Sequence, residues 1–183
     1  MVLSTERLIL RPWRLSDASD LYKYAADERR GKAAGWPPHK SVDESREIIR
    51  SVFSIEGVFA VTLKGDDTPI GCIGVVRGAA SNFSIPDNEG EISYWLGVPF
   101  WGKGLIPEAT KEIIRYAFRE LGLTTLWSGY YDGNENSRKV QKKCGFSYYH
   151  TNPPAYMPLA GETLVEHISI LQRDVWLSFQ REE

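Results

Sequence analysis

Cysteine is scarce in this 183-residue chain: Cys72 and Cys144 are the only two. They are too few for a disulfide framework and lack metal-ligand spacing, so both read as reduced core residues of a cytoplasmic protein. Histidine is nearly as rare, and His39, His150 and His167 are scattered, so no metal site is expected. No run reaches the ~18 apolar residues of a membrane span. The opening Met1-Val2-Leu3-Ser4-Thr5-Glu6-Arg7 lacks the apolar core and cleavage site of a signal peptide. An excess of one charge is missing too: 22 Lys and Arg stand against 24 Asp and Glu, a net charge of −2. Nucleic-acid-binding domains carry a basic surplus, so no nucleic-acid partner is expected, nor a membrane. Internal repeats, low-complexity tracts and long linkers are absent as well. The remainder is ordinary for a globular chain, 42% hydrophobic and 25% charged, and reads as one domain over residues 1–183.

Regular elements follow from periodicity and caps. Arg7-Leu8-Ile9-Leu10-Arg11 alternates as a strand, and Pro12 stops its pairing. Ser16 or Asp17 caps a helix through Leu21, Tyr22 and Ala25. Gly35-Trp36-Pro37-Pro38 is a loop, and Ser41 with Glu44 opens a helix through Ile48, Ile49, Val52 and Phe53. Residues 58–64 and 70–76 read as strands about the turn Gly65-Asp66-Asp67-Thr68. Residues 78–89 read as an exposed loop and 91–98 as a strand. Residues 107–121 form a helix with Ile113, Ile114, Ala117, Phe118 and Leu121 on its apolar face. A strand over 124–130 and a short helix over 136–143, ended by Gly145, follow. After a Pro-rich loop at 153–158 the last strand runs over 164–171. The order β-α-α-β-β-β-α-β-α-β predicts an α/β domain on a mixed sheet, with a right-handed crossover between parallel strands over 91–130.

Two segments carry chemistry. In the first, Trp101-Gly102-Lys103-Gly104-Leu105-Ile106-Pro107-Glu108-Ala109, a glycine turn leads into a helix. Its N-terminal N–H groups and positive dipole end suit a pyrophosphate. Gly102 and Gly104 permit close approach. An ordinary tight turn has the same glycines, and the spacing fits neither a Walker A motif nor a dinucleotide fingerprint. In the second, Asn134-Glu135-Asn136-Ser137-Arg138-Lys139-Val140-Gln141-Lys142-Lys143-Cys144-Gly145-Phe146, Asn134 or Asn136 caps the short helix. Arg138, Lys139, Lys142 and Lys143 make two i,i+4 pairs, a cationic strip that is either a solvated face or a second contact for the same anion.

Together these segments resemble the two signature motifs of the GNAT N-acetyltransferases, and more narrowly the branch that includes the ribosomal-protein alanine N-acetyltransferases. Thr5-Glu6-Arg7-Leu8-Ile9-Leu10-Arg11, Gly90-Glu91-Ile92-Ser93-Tyr94-Trp95-Leu96 and Glu166-His167 fit the same pattern, which spans about residues 5–175. The resemblance implies a GNAT fold, a splayed mixed sheet flanked by helices. It implies transfer of an acetyl group from acetyl-CoA, the acyl-donor cosubstrate, to a primary amine by direct attack in a ternary complex. The amine is a protein N-terminus or a small molecule, and the enzyme is a monomer or homodimer.

By the same resemblance the backbone of Leu96, Gly97 and Val98 pairs with the pantetheine arm. Gly102, Lys103, Gly104, Leu105 and Ile106 hold the pyrophosphate, with Lys142 in the cationic strip. Asn134 hydrogen-bonds the pantetheine and Ser137 stands near the sulfur. Pro99 departs from the Gln or Arg usual there. Glu91 is the expected base, Ser137 the expected acid for the thiolate, and His150 and Tyr156 are weaker acceptor-side candidates. Acceptor specificity is expected in 35–40, 78–89 and 152–161, with Trp36, Phe83 and Tyr156 lining it. The rival from another class is a non-catalytic CoA-binding sensor.

Overall fold

The computed structural model describes residues 1–27 and 36–180; Gly35, the first residue of one expected acceptor loop, lies outside them. Strands β1 (Leu3–Ser4), β2 (Leu8–Arg11), β3 (Val58–Leu63), β4 (Asp66–Arg77) and β5 (Glu89–Leu96) pair successively and antiparallel. Between β2 and β3 lie helices α1 (Ala18–Ala25) and α2 (Val42–Ile48), the latter continuing into a π-helical turn, Ile49–Phe53. Helix α3 (Leu105–Arg119) then crosses to β6 (Thr125–Tyr131), which pairs parallel to β5. Helix α4 (Glu135–Lys143) leads to β7 (Ser147–Thr151), a small hairpin of β8 (Ala155–Met157) and β9 (Glu162–Leu164), β10 (Glu166–Gln172) and helix α5 (Arg173–Phe179). The eight-stranded sheet has the order β1-β2-β3-β4-β5-β6-β10-β7.

Alternation along the strands divides the interior between two faces. Ile73 and Val75 of β4, Ile92 and Leu96 of β5, and Ile113, Ala117 and Phe118 of α3 share the larger core. Ala60 and Cys72 turn the opposite way and pack with Trp13, Leu21 and Ile49, with Trp95 against them. Both cysteines are buried and unbridged, and burial pushes the Cys144 thiol up to about 11. Among the described residues no helix is long and apolar enough to cross a membrane.

All ten expected elements form, with shifted ends. Among the described residues, five further ones escaped periodicity. β1 has only two residues, and β7, Ser-Tyr-Tyr-His-Thr, is exposed throughout, so neither shows an apolar alternation. The hairpin of β8 and β9 is equally exposed, while α5 anchors itself through Trp176.

Candidate functional site

The site begins where two strands part. β5 and β6 pair only from Glu89–Thr125 to Glu91–Trp127, although β5 continues to Leu96 and β6 to Tyr131. Beyond that point Ser128 Oγ donates 2.9 Å to the Ile92 carbonyl, and Gln141 Nε2 of α4 donates 3.0 Å to both Ser128 Oγ and the Gly129 carbonyl. A buried side-chain brace thus replaces the ladder and fixes α4 against the gap. The gap opens into a cavity of about 920 Å³ lined from both faces of the sheet, by Glu91 and Trp95 on one and by Tyr94 and Ser137 on the other.

On the α3 side the glycine turn has the geometry its sequence demands. Gly102 and Gly104 both have φ of +75°, a left-handed conformation that favours glycine, and Gly104 is the N-cap of α3. Pro107 sits in the first turn, where its missing N–H leaves no bond unmade. The turn is tied to β2: Arg7 donates 3.0 Å to the Lys103 carbonyl and 2.6 Å to Glu108 Oε2, and Thr5 Oγ1 and the Arg7 N–H also bind Glu108. Burial works against the Glu108 charge, yet these donors outweigh it and hold the carboxyl below its usual range.

Asn134, not Asn136, caps α4, accepting from the Ser137 N–H at 3.1 Å. The helix closes in a Schellman motif through Gly145, φ +91°, with Gly145 N–H to Lys142 O and Phe146 N–H to Gln141 O. Ser137 Oγ lies 3.0 Å from the Tyr94 hydroxyl, which is also 3.2 Å from the Ser137 carbonyl. Burial pushes the Tyr94 phenol far above its usual range, so it keeps its proton. Sequence reasoning missed Tyr94; period-two alternation in β5 was the available signal, since it sets Tyr94 opposite Glu91 and Trp95. The cationic strip divides: Lys139 and Lys143 line the cavity whereas Lys142 does not, and Arg138 pairs with Glu135 at 2.9 Å.

Of the residues expected to contact the cofactor, Leu96, Gly102, Gly104, Ile106, Asn134 and Ser137 line the cavity, while Gly97, Val98, Lys103 and Leu105 are not among the described lining residues. β5 ends at Leu96, whose carbonyl accepts from Trp101 Nε1 at 2.8 Å. The Gly97 N–H is taken by the Ile70 carbonyl, and Val98 lies in a 3-10 turn. Upstream, from Ile92 to Leu96, β5 has no ladder to β6, and side chains hold the Ile92 and Leu96 carbonyls.

Across the sheet two carboxylates meet. Glu91, 5% exposed, accepts from Ser81 Oγ at 2.8 Å, from the Asn82 N–H at 2.7 Å and from Asn82 Nδ2 at 3.0 Å. These three bonds occupy most of the four or so acceptor positions of a carboxylate. The donors come from residues expected to form an exposed loop; Ser81 is in fact buried. Glu166, on β10, lines the same cavity and accepts from Asn152 Nδ2 at 3.1 Å. Burial raises the Glu166 carboxyl above its usual range, and the Glu91 charge adds to this against the Asn152 bond. Gly129 lets Glu166 reach the gap: a Cβ there would lie 2.5 Å from Glu166 Oε1 and 3.1 Å from the Phe83 ring. His150 bonds Asn152 at 2.9 Å outside the lining, and Tyr156 is 64% exposed on β8.

The acetyltransferase (GNAT) domain family matches residues 7–147. The chain belongs to the GNAT N-acetyltransferases. This acetyltransferase is 33% identical over 152 residues to the "uncharacterized N-acetyltransferase p20" of Bacillus licheniformis, covering 79% of this chain and 81% of that one. Its fold matches a GNAT acetyltransferase from Bacillus anthracis at TM-score 0.83, with 20% identity over 95% of this chain and 99% of the other. It matches the ribosomal-protein-S5-alanine acetyltransferase of Vibrio fischeri at TM-score 0.74, with 21% identity over 96% and 98%. GNAT enzymes use acetyl-CoA as cosubstrate, and among the described residues no cluster of three or more His, Cys, Asp or Glu side chains suits a metal.

Proposed function

We propose that this enzyme moves the acetyl group of acetyl-CoA to a primary amine by direct attack in a ternary complex, the two substrates meeting through the gap between β5 and β6. The observation that carries this reading is the parting of the strands after Glu91–Trp127, which opens a gap between a phosphate-competent turn on one face and two carboxylates, Glu91 and Glu166, on the other. On the donor face the turn of 102–106 with Lys139 and Lys143 suits the pyrophosphate, and the Ile92–Leu96 edge suits the pantetheine amides. Two buried cysteines without a disulfide fit a reducing, cytoplasmic setting.

The amine arrives largely protonated: an α-amine has a pKa of about 7.7–8.0 and a lysine-like amine about 10.4. It must lose a proton before its nitrogen attacks the thioester carbon. Of the two acceptor-side carboxylates, Glu166 is the better proton acceptor, because it has spare lone pairs and its raised affinity for protons matches the task. Glu91, the base expected from sequence, holds the 81–82 segment and adds negative charge for the ammonium. As the carbon–sulfur bond breaks, Ser137, oriented by Tyr94, donates to the departing thiolate. The products are the amide and free CoA thiol: the ammonium loses one proton to Glu166 and then to solvent, and the second, released by nitrogen as the amide forms, replaces the proton that Ser137 gives to sulfur.

Thermal-shift titration with CoA, NAD and ATP, paired with thiol release from acetyl-CoA across an amine panel, tests this. Stabilisation by CoA but not NAD, with amine-dependent thiol release, is the expected result. Stabilisation by CoA with no thiol release from any amine identifies a sensor instead.

A further inference from the structure

The acceptor side of the cavity differs in composition from the donor side. Its wall is aromatic: Trp36, Phe53 and Trp95 line it, and Trp36 meets Trp95 edge-on with centroids 6.3 Å apart. Its rim is aliphatic: Val52, Ile55 and Leu159 line the opening while 47%, 42% and 68% exposed. Isolated surface apolar residues need no explanation, but several gathered around one opening mark a binding surface. The floor is the reverse, the carboxyl groups of Glu91 and Glu166. Among the described residues lining the cavity, the only Lys and Arg are Lys139 and Lys143, both on α4. The one other lining carboxylate, Glu44, already accepts from the Lys40 N–H.

This arrangement selects by chemistry. An anionic acceptor meets carboxylates and no described cation on this side. A polyamine seats one charge on the floor and lays the next against an aliphatic rim, at a desolvation cost. A small amine, such as a peptide beginning with alanine, leaves the aromatic wall uncovered. Resting on the acetyl-transfer reading above, we propose that the acceptor is a primary amine one short spacer away from an aromatic or branched apolar group. The ammonium is drawn to Glu91 and Glu166, and the apolar group packs on Trp36, Phe53, Val52 and Ile55. Two sources share this chemistry: a small arylalkylamine, and a peptide whose first residue is large and apolar.

The experiment measures thiol release by the full chain with phenethylamine and tryptamine, and with peptides that begin with Phe, Leu, Ala or Ser and are otherwise identical; spermidine completes the panel. One methylene in an apolar site is worth about 10–200-fold in kcat/KM. The apolar amines and the Phe or Leu peptides are therefore expected to exceed the Ala and Ser peptides and spermidine by at least about tenfold; the faster of the two arms names the source. Val52→Asn and Ile55→Asn, at half-exposed positions that a folded chain tolerates, should erode that margin while CoA-induced stabilisation stays unchanged. Preference for Ala peptides, Ser peptides or spermidine overturns the inference, and so does a margin indifferent to both substitutions. No CoA stabilisation and no thiol release with any amine overturns the acetyl-transfer reading as well, which sets the two failures apart.

Discussion

The hydroxyls of Ser137 and Tyr94 share a decision about direction. If Tyr94 donates to the Ser137 carbonyl, Ser137 is free to point its own proton back at Tyr94; if Tyr94 donates to Ser137 Oγ, that proton turns toward the sulfur. The second arrangement makes Tyr94 a positioning residue. Ser137→Ala should lower kcat with little change in CoA affinity, the mark of a contact made in the transition state. Tyr94→Phe should cost about 2–10-fold in kcat, the range of one hydrogen bond. In the Ser137→Ala background it should cost nothing further, because the partner is gone. Equal losses in both backgrounds would separate Tyr94 from Ser137. Glu166 gives a sharper test. Glu166→Gln should cut turnover by the ~10²–10⁴-fold typical of a lost base and remove the acid limb of the pH profile. That limb belongs above the usual carboxylate range because burial raises the Glu166 carboxyl, and activity rises with pH as it ionises. The sign for stability is opposite. A raised folded pKa favours the fold below the unfolded value of about 4.3 and loses that advantage as pH rises through the folded value. Glu166→Gln should thus melt higher than the parent at neutral pH and lose that margin in acid, as scanning calorimetry can show. Ser137, Asn134 and the glycines were legible because motif spacing carries them. The placing of Tyr94 and Glu166 in the cavity was not legible, because it depends on which face a strand turns to the gap, and that is decided by tertiary pairing.

At the scale of elements, the donor site depends on how α3 is held. Gly104 has left-handed φ at the N-cap, where a β-branched residue is strained; Gly104→Val should therefore weaken CoA binding strongly by titration calorimetry. Arg7 stands outside the turn but holds the Lys103 carbonyl and Glu108 together. Arg7→Ala should raise the Kd for acetyl-CoA about fivefold, the ~1 kcal/mol net worth of one hydrogen bond, with kcat at saturation unchanged. Gly129→Ala is the counterpart on β6: the added methyl displaces Glu166 or Phe83, so turnover should fall while CoA affinity holds. Helices α1 to α4 and the central strands were readable from caps and apolar spacing, whereas the exposed β7 has neither. The end of β5 was misjudged by two residues because apolar Val98 looks like a strand residue, yet the Trp101 indole claims the Leu96 carbonyl and turns the chain.

For the whole molecule, the sheet is a partition with one opening. Residues that suit the donor and residues that suit the amine lie on opposite faces, and alternation along β5 supplies both, with Tyr94 on one face and Glu91 and Trp95 on the other. The sheet order adds a consequence in time. β10 lies between β6 and β7 although it follows both in the chain, and among the described residues β7 pairs only with β10. As the polypeptide leaves the ribosome, β1 to β6 with α3 and α4 can assemble while the far edge of β6 stays open and β7 waits beside it. Glu166 is the first residue of β10. On the proposed mechanism, a growing chain therefore emerges with its donor-side lining residues before Glu166, the carboxylate assigned to the proton. The strand that closes the sheet between β6 and β7 is also the one that carries this carboxylate.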